Sequence, residues 1–238
     1  MKIIHLLSFV IITFLFSYVM PACTYKKGNG DITTETRKTG SFNGISVSGD
    51  FDVEIKTGDR EEVTIEADDN LIHNIETEVV QGTLRIRSKD HNLRNAHFKA
   101  FITAKKIDNI SASASANIEV KDIILSNNSV QLKASSAGEI TARVNAPEVN
   151  TEGSSGSTVT LSGKTRNFKG TTSSGSEINA MDLLSENSIV SSSSGAKIKV
   201  HSSISLDATA SSGASITYRG GGNVKESVSS GGKVEKLD

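Results

Sequence analysis

Four of the five histidines, the adjacent acids Asp68 and Asp69, one cysteine and a surplus of serines are among the side chains in this sequence with reactive potential. His73, His91, His97 and His201 lack metal-ligand spacing, so no metal site is expected from them. His91 and His97 flank Asp90, Asn92, Arg94 and Asn95, the most polar cluster of the chain, which reads as a solvated loop. Asp68 and Asp69 are neighbours, whereas glycoside hydrolysis needs two carboxyls facing each other across a sugar. The better expectation is that one of them caps a short helix over 70–75. The serines recur as Ser-Ser-Gly and none stands in a nucleophile elbow. A catalytic serine is needed once, so a recurring one is structural: Gly permits a sharp bend and Ser bonds the local backbone. No catalytic residue, metal or cofactor is assigned, and the chain is read as not an enzyme.

Cys23 carries a different chemistry. Lys2 is followed by an apolar run from Ile3 to Val19, which reads as a signal peptide over residues 1–22. Met20-Pro21-Ala22-Cys23 resembles a bacterial lipobox, with Ala22 fitting, Met20 substituting for Leu and Pro21 departing from the pattern. Cys23, alone of its type, is therefore the expected lipidation site and the expected link to a membrane, placing the protein in the cell envelope, at the outer membrane or surface. A single cysteine also excludes an internal disulfide. Residues 23–40 are polar and rich in Gly and Thr, and read as a lipidated cysteine followed by a flexible tether.

Composition removes other functions. The 238 residues hold 26 Lys plus Arg against 27 Asp plus Glu, with no basic cluster, which argues against a nucleic-acid partner. Trp is absent, and of 8 Phe and 3 Tyr four lie before residue 20, leaving too few aromatics for platforms that stack sugars or bases.

The elements that position these residues come from repetition. Seven segments within 111–238 share a run of small residues, two further residues and then Ile or Val. The aligned apolar positions are Ile118, Ile140, Val159, Ile178, Ile198, Ile216 and Val234, spaced by 22, 19, 19, 20, 18 and 18. Two residues earlier stand Ala116, Gly138, Ser157, Ser176, Ala196, Ala214 and Gly232, all small. The residues on either side of each Ile or Val are polar, so each repeat contains a strand with one buried face. A second apolar column, Val130, Val149, Phe168, Leu206 and Val224, gives each coil a second strand, with Ile189 filling the gap after a shift of one. Gly156, Gly175, Gly195, Gly213 and Gly231 mark the bends between them.

This pattern predicts an all-β fold: a single-stranded parallel β-helix, or β-solenoid, of about 18–22 residues per coil over 107–238, with an N-terminal β-rich cap over 41–106. One buried Ile or Val stabilises by roughly 1.5–3 kcal/mol, so no coil stands alone and stacking is obligatory. An antiparallel sandwich of short strands is the competing fold, and it does not call for the same alternation in every segment. Ser46–Val53 aligns with Ser113–Val120, so the cap is expected to begin with a related coil. Outward Lys197 and Lys199 with Glu177, Glu139 and Glu119 are expected to form exposed charge ladders.

The ordered series Phe42-Asn43-Gly44-Ile45, Phe51-Asp52-Val53, Asp68-Asp69-Asn70-Leu71-Ile72 and Gly82-Thr83-Leu84-Arg85-Ile86, followed by Ser-Ser-Gly repeats, resembles the head GIN domain family over about 41–235. That family also carries an autotransporter-adhesin label and is abundant among secreted and lipid-anchored proteins of Bacteroidetes-type bacteria. The resemblance implies a β-helical fold and an envelope or surface location, with no catalytic site to transfer. The function expected is a surface lipoprotein whose rigid scaffold presents repetitive polar faces to an extracellular glycan or protein. Two other functions compete: a polysaccharide-active enzyme, and a binder of lipid or hydrophobic ligand in a cleft between cap and first coils near Phe98 and Phe101.

Overall fold

The computed structural model describes residues 25–90 and 92–237. The signal-peptide segment, Cys23 and His91 lie outside the described residues. In chain order the N-terminal strands are β1 (Lys26–Lys27), β2 (Ile32–Arg37), β3 (Gly44–Ser48), β4 (Asp52–Thr57), β5 (Glu62–Asp68), β6 (Ile75–Val80), β7 (Thr83–Ser88), β8 (Leu93–Arg94) and β9 (Phe98–Ala104). The repeats supply β10 (Asn109–Ser113), β11 (Asn117–Leu125), β12 (Ser129–Ala134), β13 (Glu139–Gly153), β14 (Thr158–Thr172), β15 (Glu177–Ser192), β16 (Lys197–Ala210), β17 (Ser215–Arg219), β18 (Asn223–Val228) and β19 (Lys233–Lys236).

Every pairing among β10–β19 is parallel, as a solenoid requires and a sandwich forbids. The Ile/Val column forms one continuous ladder: Ile118 beside Ile140, Val159, Ile178, Ile198, Ile216 and Val234 in turn. All but Val234, in the last coil, are buried. A second ladder runs through Val130, Val149, Phe168, Ser188, Leu206 and Val224. Ile189 is therefore not the core residue of its coil. It is 61% exposed and faces outward, while Ser188 takes the inward place and meets Ser185 Oγ at 2.6 Å. Hydrophobicity favours Ile at that position, but the strand's alternation places Ser188 and Val190 inside.

The two walls of each coil join on one side at a tight turn. At Ser173–Ser176, Ser174 has φ 52° and Gly175 φ 70°, and Ser176 N donates to Ser173 O at 3.2 Å. Positive φ at both central residues defines a type I′ turn. Gly156, Gly195, Gly213 and Gly231 hold the same place. The turns themselves stack, since Gly156 N donates to Ser174 O and Gly175 N to Ser194 O, each at 3.1 Å. The small column borders these turns, where the walls pinch: a Cβ on Gly138 would collide with the Ala112 carbonyl of the neighbouring coil.

The cap does begin with a related coil, but two details differ from the expected alignment. Val53 pairs with Ile118, not with Val120, so Phe51 occupies the position of the small residue Ala116. The chain order also departs from the stacking order. The β7 and β9 strands lie beneath β3 and β4, which separate them from β10 and β11. Antiparallel strands β2, β5 and β6 then close the end.

Two further expectations are corrected. The stretch read as a flexible tether contains strands: β1 pairs with β8, and β2 pairs with β5 throughout its length. Thr-rich β2 shows no apolar period because it is a half-solvated edge strand. Neither aspartate caps a helix. The only helical turn among the described residues is a 3₁₀ turn at Ile72–Asn74, with Leu71 before it and no side-chain cap.

Candidate functional site

The loops around the cap spend their polar groups on structure. Asp68 is buried, and its carboxylate accepts the backbone N–H of Gly30 and of His97, each at 2.7 Å. Burial pushes its pKa up, but the His97 and Gly30 amides outweigh that and hold it below the usual aspartate value. A Cβ on Gly28 would clash with the same carboxylate, so glycine is required there. Asp69 accepts from Asn29 Nδ2 at 2.6 Å, so the two acids tie down the segment 28–31 and do not face each other across a groove. His97 Nε2 meets Glu66 at 2.8 Å, Asp90 pairs with Lys26 at 2.8 Å, and Arg94 lies 4.4 Å over the Tyr25 ring.

The expected apolar cleft has a mixed lining. A cavity of about 680 Å³ beside the cap is lined by Ser48, Asp50, Arg87, Asp90 and Asn95, with Leu93 and Phe98 as its large apolar contributors. Phe98 is buried in a stack on Phe51 with ring centroids 4.9 Å apart. Phe101 points outward under the Lys99 ammonium, 4.9 Å from its ring.

The flat walls carry the charge ladders in part. Lys199 meets Glu177 at 2.9 Å, Lys133 meets Glu152 at 3.1 Å and Lys225 meets Asp207 at 3.1 Å, each bond crossing between neighbouring coils. Such exposed pairs contribute little to stability, about 0–1 kcal/mol each. They do neutralise part of the wall's charge.

The repeat breaks at the corner opposite the type I′ turns. Register shifts fall there, between Glu119 and Ile123, Thr160 and Ser162, and Ala180 and Leu184. An outward column of Leu125, Asn145, Lys164, Leu184, His201 and Arg219 runs along it in register. Grooves of about 570 and 700 Å³ flank this column and share Asn145, Lys164, Leu184 and His201. The irregular spacings of 22 and 20 were the sequence's trace of this corner, because the extra residues sit in it.

At the corner serine hydroxyls bond the backbone and one another. Ser185 Oγ donates to the His201 carbonyl at 2.5 Å and not to its ring. Among the described residues no three His, Cys, Asp or Glu side chains converge as a metal site.

A family model described as "Putative auto-transporter adhesin, head GIN domain" matches residues 41–222. The chain belongs to this family. The head GIN fold of this chain is also that of three solved structures. A "putative adhesin" from Bacteroides fragilis is 19% identical, with TM-score 0.81, covering 89% of this chain and 100% of that one. A "putative lipid binding protein" from Parabacteroides distasonis is 20% identical, with TM-score 0.73, covering 90% and 100%. A "putative adhesin" from Parabacteroides merdae is 19% identical, with TM-score 0.72, covering 90% and 99%. At these identities the likeness shows the fold. No curated protein matches the chain.

Proposed function

We propose that this head GIN protein is a non-enzymatic component of the cell envelope that works by binding. Residues 1–22 direct its export, and an acyl chain on Cys23 holds it to a membrane at the outer membrane or cell surface. The adhesin names of the family and of two structural relatives support a surface location. The observation that carries the reading is the register: outward side chains stand in straight columns over successive coils, one per strand step of about 4.8 Å. A rigid rod with such columns meets a repeating partner through many weak contacts whose effects multiply.

Screening the purified chain against arrays of glycans and matrix proteins tests this. Retention of one class of extracellular ligand is expected; no retention of any, together with turnover of a polysaccharide, would replace binding with catalysis. The lipid-binder reading draws on the name of one relative, but the cavity that would serve it is lined by Asp50, Arg87, Asp90 and Asn95 as well as by Leu93 and Phe98 here.

A further inference from the structure

The corner gathers four cations that have no ion-pair partner among the described residues. Arg143, Lys164, Arg166 and Arg219 are all exposed and line the two grooves. Among the described residues none of the four forms an ion pair; on the walls Lys133, Lys199 and Lys225 are paired while Lys169 and Lys197 are not. Only at the corner do unpaired cations cluster along grooves. Two acids, Asp182 and Glu186, share the grooves with these four cations and His201. From the coil of Arg143 and Asn145 to that of Arg219 the column makes four strand steps, so the cationic strip extends roughly 19 Å along the rod. Hydroxyl and amide groups of Ser126, Asn127, Asn145, Ser162 and Ser203 fill the space between the charges.

We infer that this corner binds an acidic polysaccharide laid along the rod axis, its carboxylate or sulfate groups pairing with Arg143, Lys164, Arg166 and Arg219. The inference rests on the binding function proposed above and names its ligand class and place. Arginine's planar fork suits carboxylate and sulfate oxygens, and the unpaired cations have no internal partner to surrender on binding. Recessed grooves on both sides of the column admit a chain, while a flat bilayer would touch only the column's crest. Leu184 and Ile123 offer apolar contact to the C–H faces of sugar rings. No aromatic side chain lines either groove, so affinity is electrostatic and falls as salt rises.

The test compares the purified chain with two quadruple variants on immobilised polygalacturonate, heparin and neutral dextran, and on phosphatidylglycerol vesicles. One variant combines Arg143→Gln, Lys164→Gln, Arg166→Gln and Arg219→Gln. The control removes as many charges from the walls and last coil: Lys169→Gln, Lys197→Gln, Lys233→Gln and Lys236→Gln. All eight side chains are exposed, and thermal unfolding checks that both variants keep the fold. The corner variant should lose acidic-polymer binding at least roughly tenfold while the control keeps it. In the unaltered protein, carbodiimide-activated polygalacturonate should form its amide at Lys164 and spare Lys169. Equal loss in both variants, or cross-linking spread over the wall lysines, would overturn the inference. Retention by anionic vesicles alone would replace the polymer with a membrane. Binding of dextran that survives the corner variant, or no binding to any of these probes, would overturn this site and leave the proposed function to the glycan and matrix-protein arrays.

Discussion

Val53 lies beside Ile118 in the parallel ladder, although its coil is separated in the chain from that of Ile118 by 65 residues, as the bond from Asn117 Nδ2 to Asp52 Oδ1 across the same interface also records. The first coil thus waits for β10 and β11 to return after the whole cap has been laid down. Its bend is filled by Phe51, where later coils have Ala, Gly or Ser. Phe51 and Phe98 stack at 4.9 Å and join the first coil to the cap. Replacing Phe51 with Ala should open a cavity there and cost about 3–5 kcal/mol, read as a lower urea midpoint. A loss below 1 kcal/mol would mean that the cap is not held through this stack.

The I′ turns give a backbone prediction with opposite signs at equivalent sites. Ala137 has φ 60° at the position where Gly175 has φ 70° in a later coil. Left-handed backbone costs an L residue roughly 1–2 kcal/mol, partly offset by the smaller entropy that Ala loses on folding. Ala137→Gly should therefore stabilise by about 0.5–1 kcal/mol, and Gly175→Ala should destabilise by a similar amount. A Cβ at Gly175 has nothing within 4 Å, so contacts do not confuse the comparison. Thermal unfolding of the two variants checks the signs.

The repeat was legible because each coil solves the same problem: two outward neighbours for every inward Ile or Val, and a small residue where the walls pinch. What failed to show were positions where that problem changes. Ser188 replaces an apolar residue in its ladder because Ser185 supplies its partner across the corner, and composition alone made Ile189 the better candidate. The match of SVSGDFDV with SASANIEV followed small residues, whereas burial of Phe51 shifts the register by two and so preserves the inward face. No local signal marks β7 and β9 as lying beneath β3 and β4, since pairing partners in a stack are chosen by the cap's path. The corner's cations were visible as residues, but only the register gathers Lys164, His201 and Arg219 into one column.

The lipidation proposed at Cys23 predicts a simple fractionation result. Produced in a bacterial host, the unaltered chain should incorporate a labelled fatty acid and partition into detergent. Cys23→Ser should lose both the label and the detergent partition. Two acyl signals or more are needed for stable anchoring, so a partial acylation would show as slow release from membranes. Labelling that survives the substitution would place the anchor elsewhere.

Asp68 sets an acid limit on the cap. Its folded-state pKa is depressed, so the stability it provides is present above the unfolded value of about 3.9 and is lost as pH falls through the folded value. Asp68→Asn keeps the size but turns one of the two accepting oxygens into a donor, facing the N–H of either Gly30 or His97. The variant should be about 1–3 kcal/mol less stable near neutral pH. Its deficit should shrink below pH ~4, where the wild-type carboxyl also takes up a proton. Amide exchange at Gly30 and His97 reads this locally: both N–H groups should exchange faster in the variant at neutral pH, while that of Gly175 in the distant turns keeps its rate. Unchanged exchange at Gly30 would show that strand β2, and not the Asp68 carboxylate, holds the N-terminal segment on the cap.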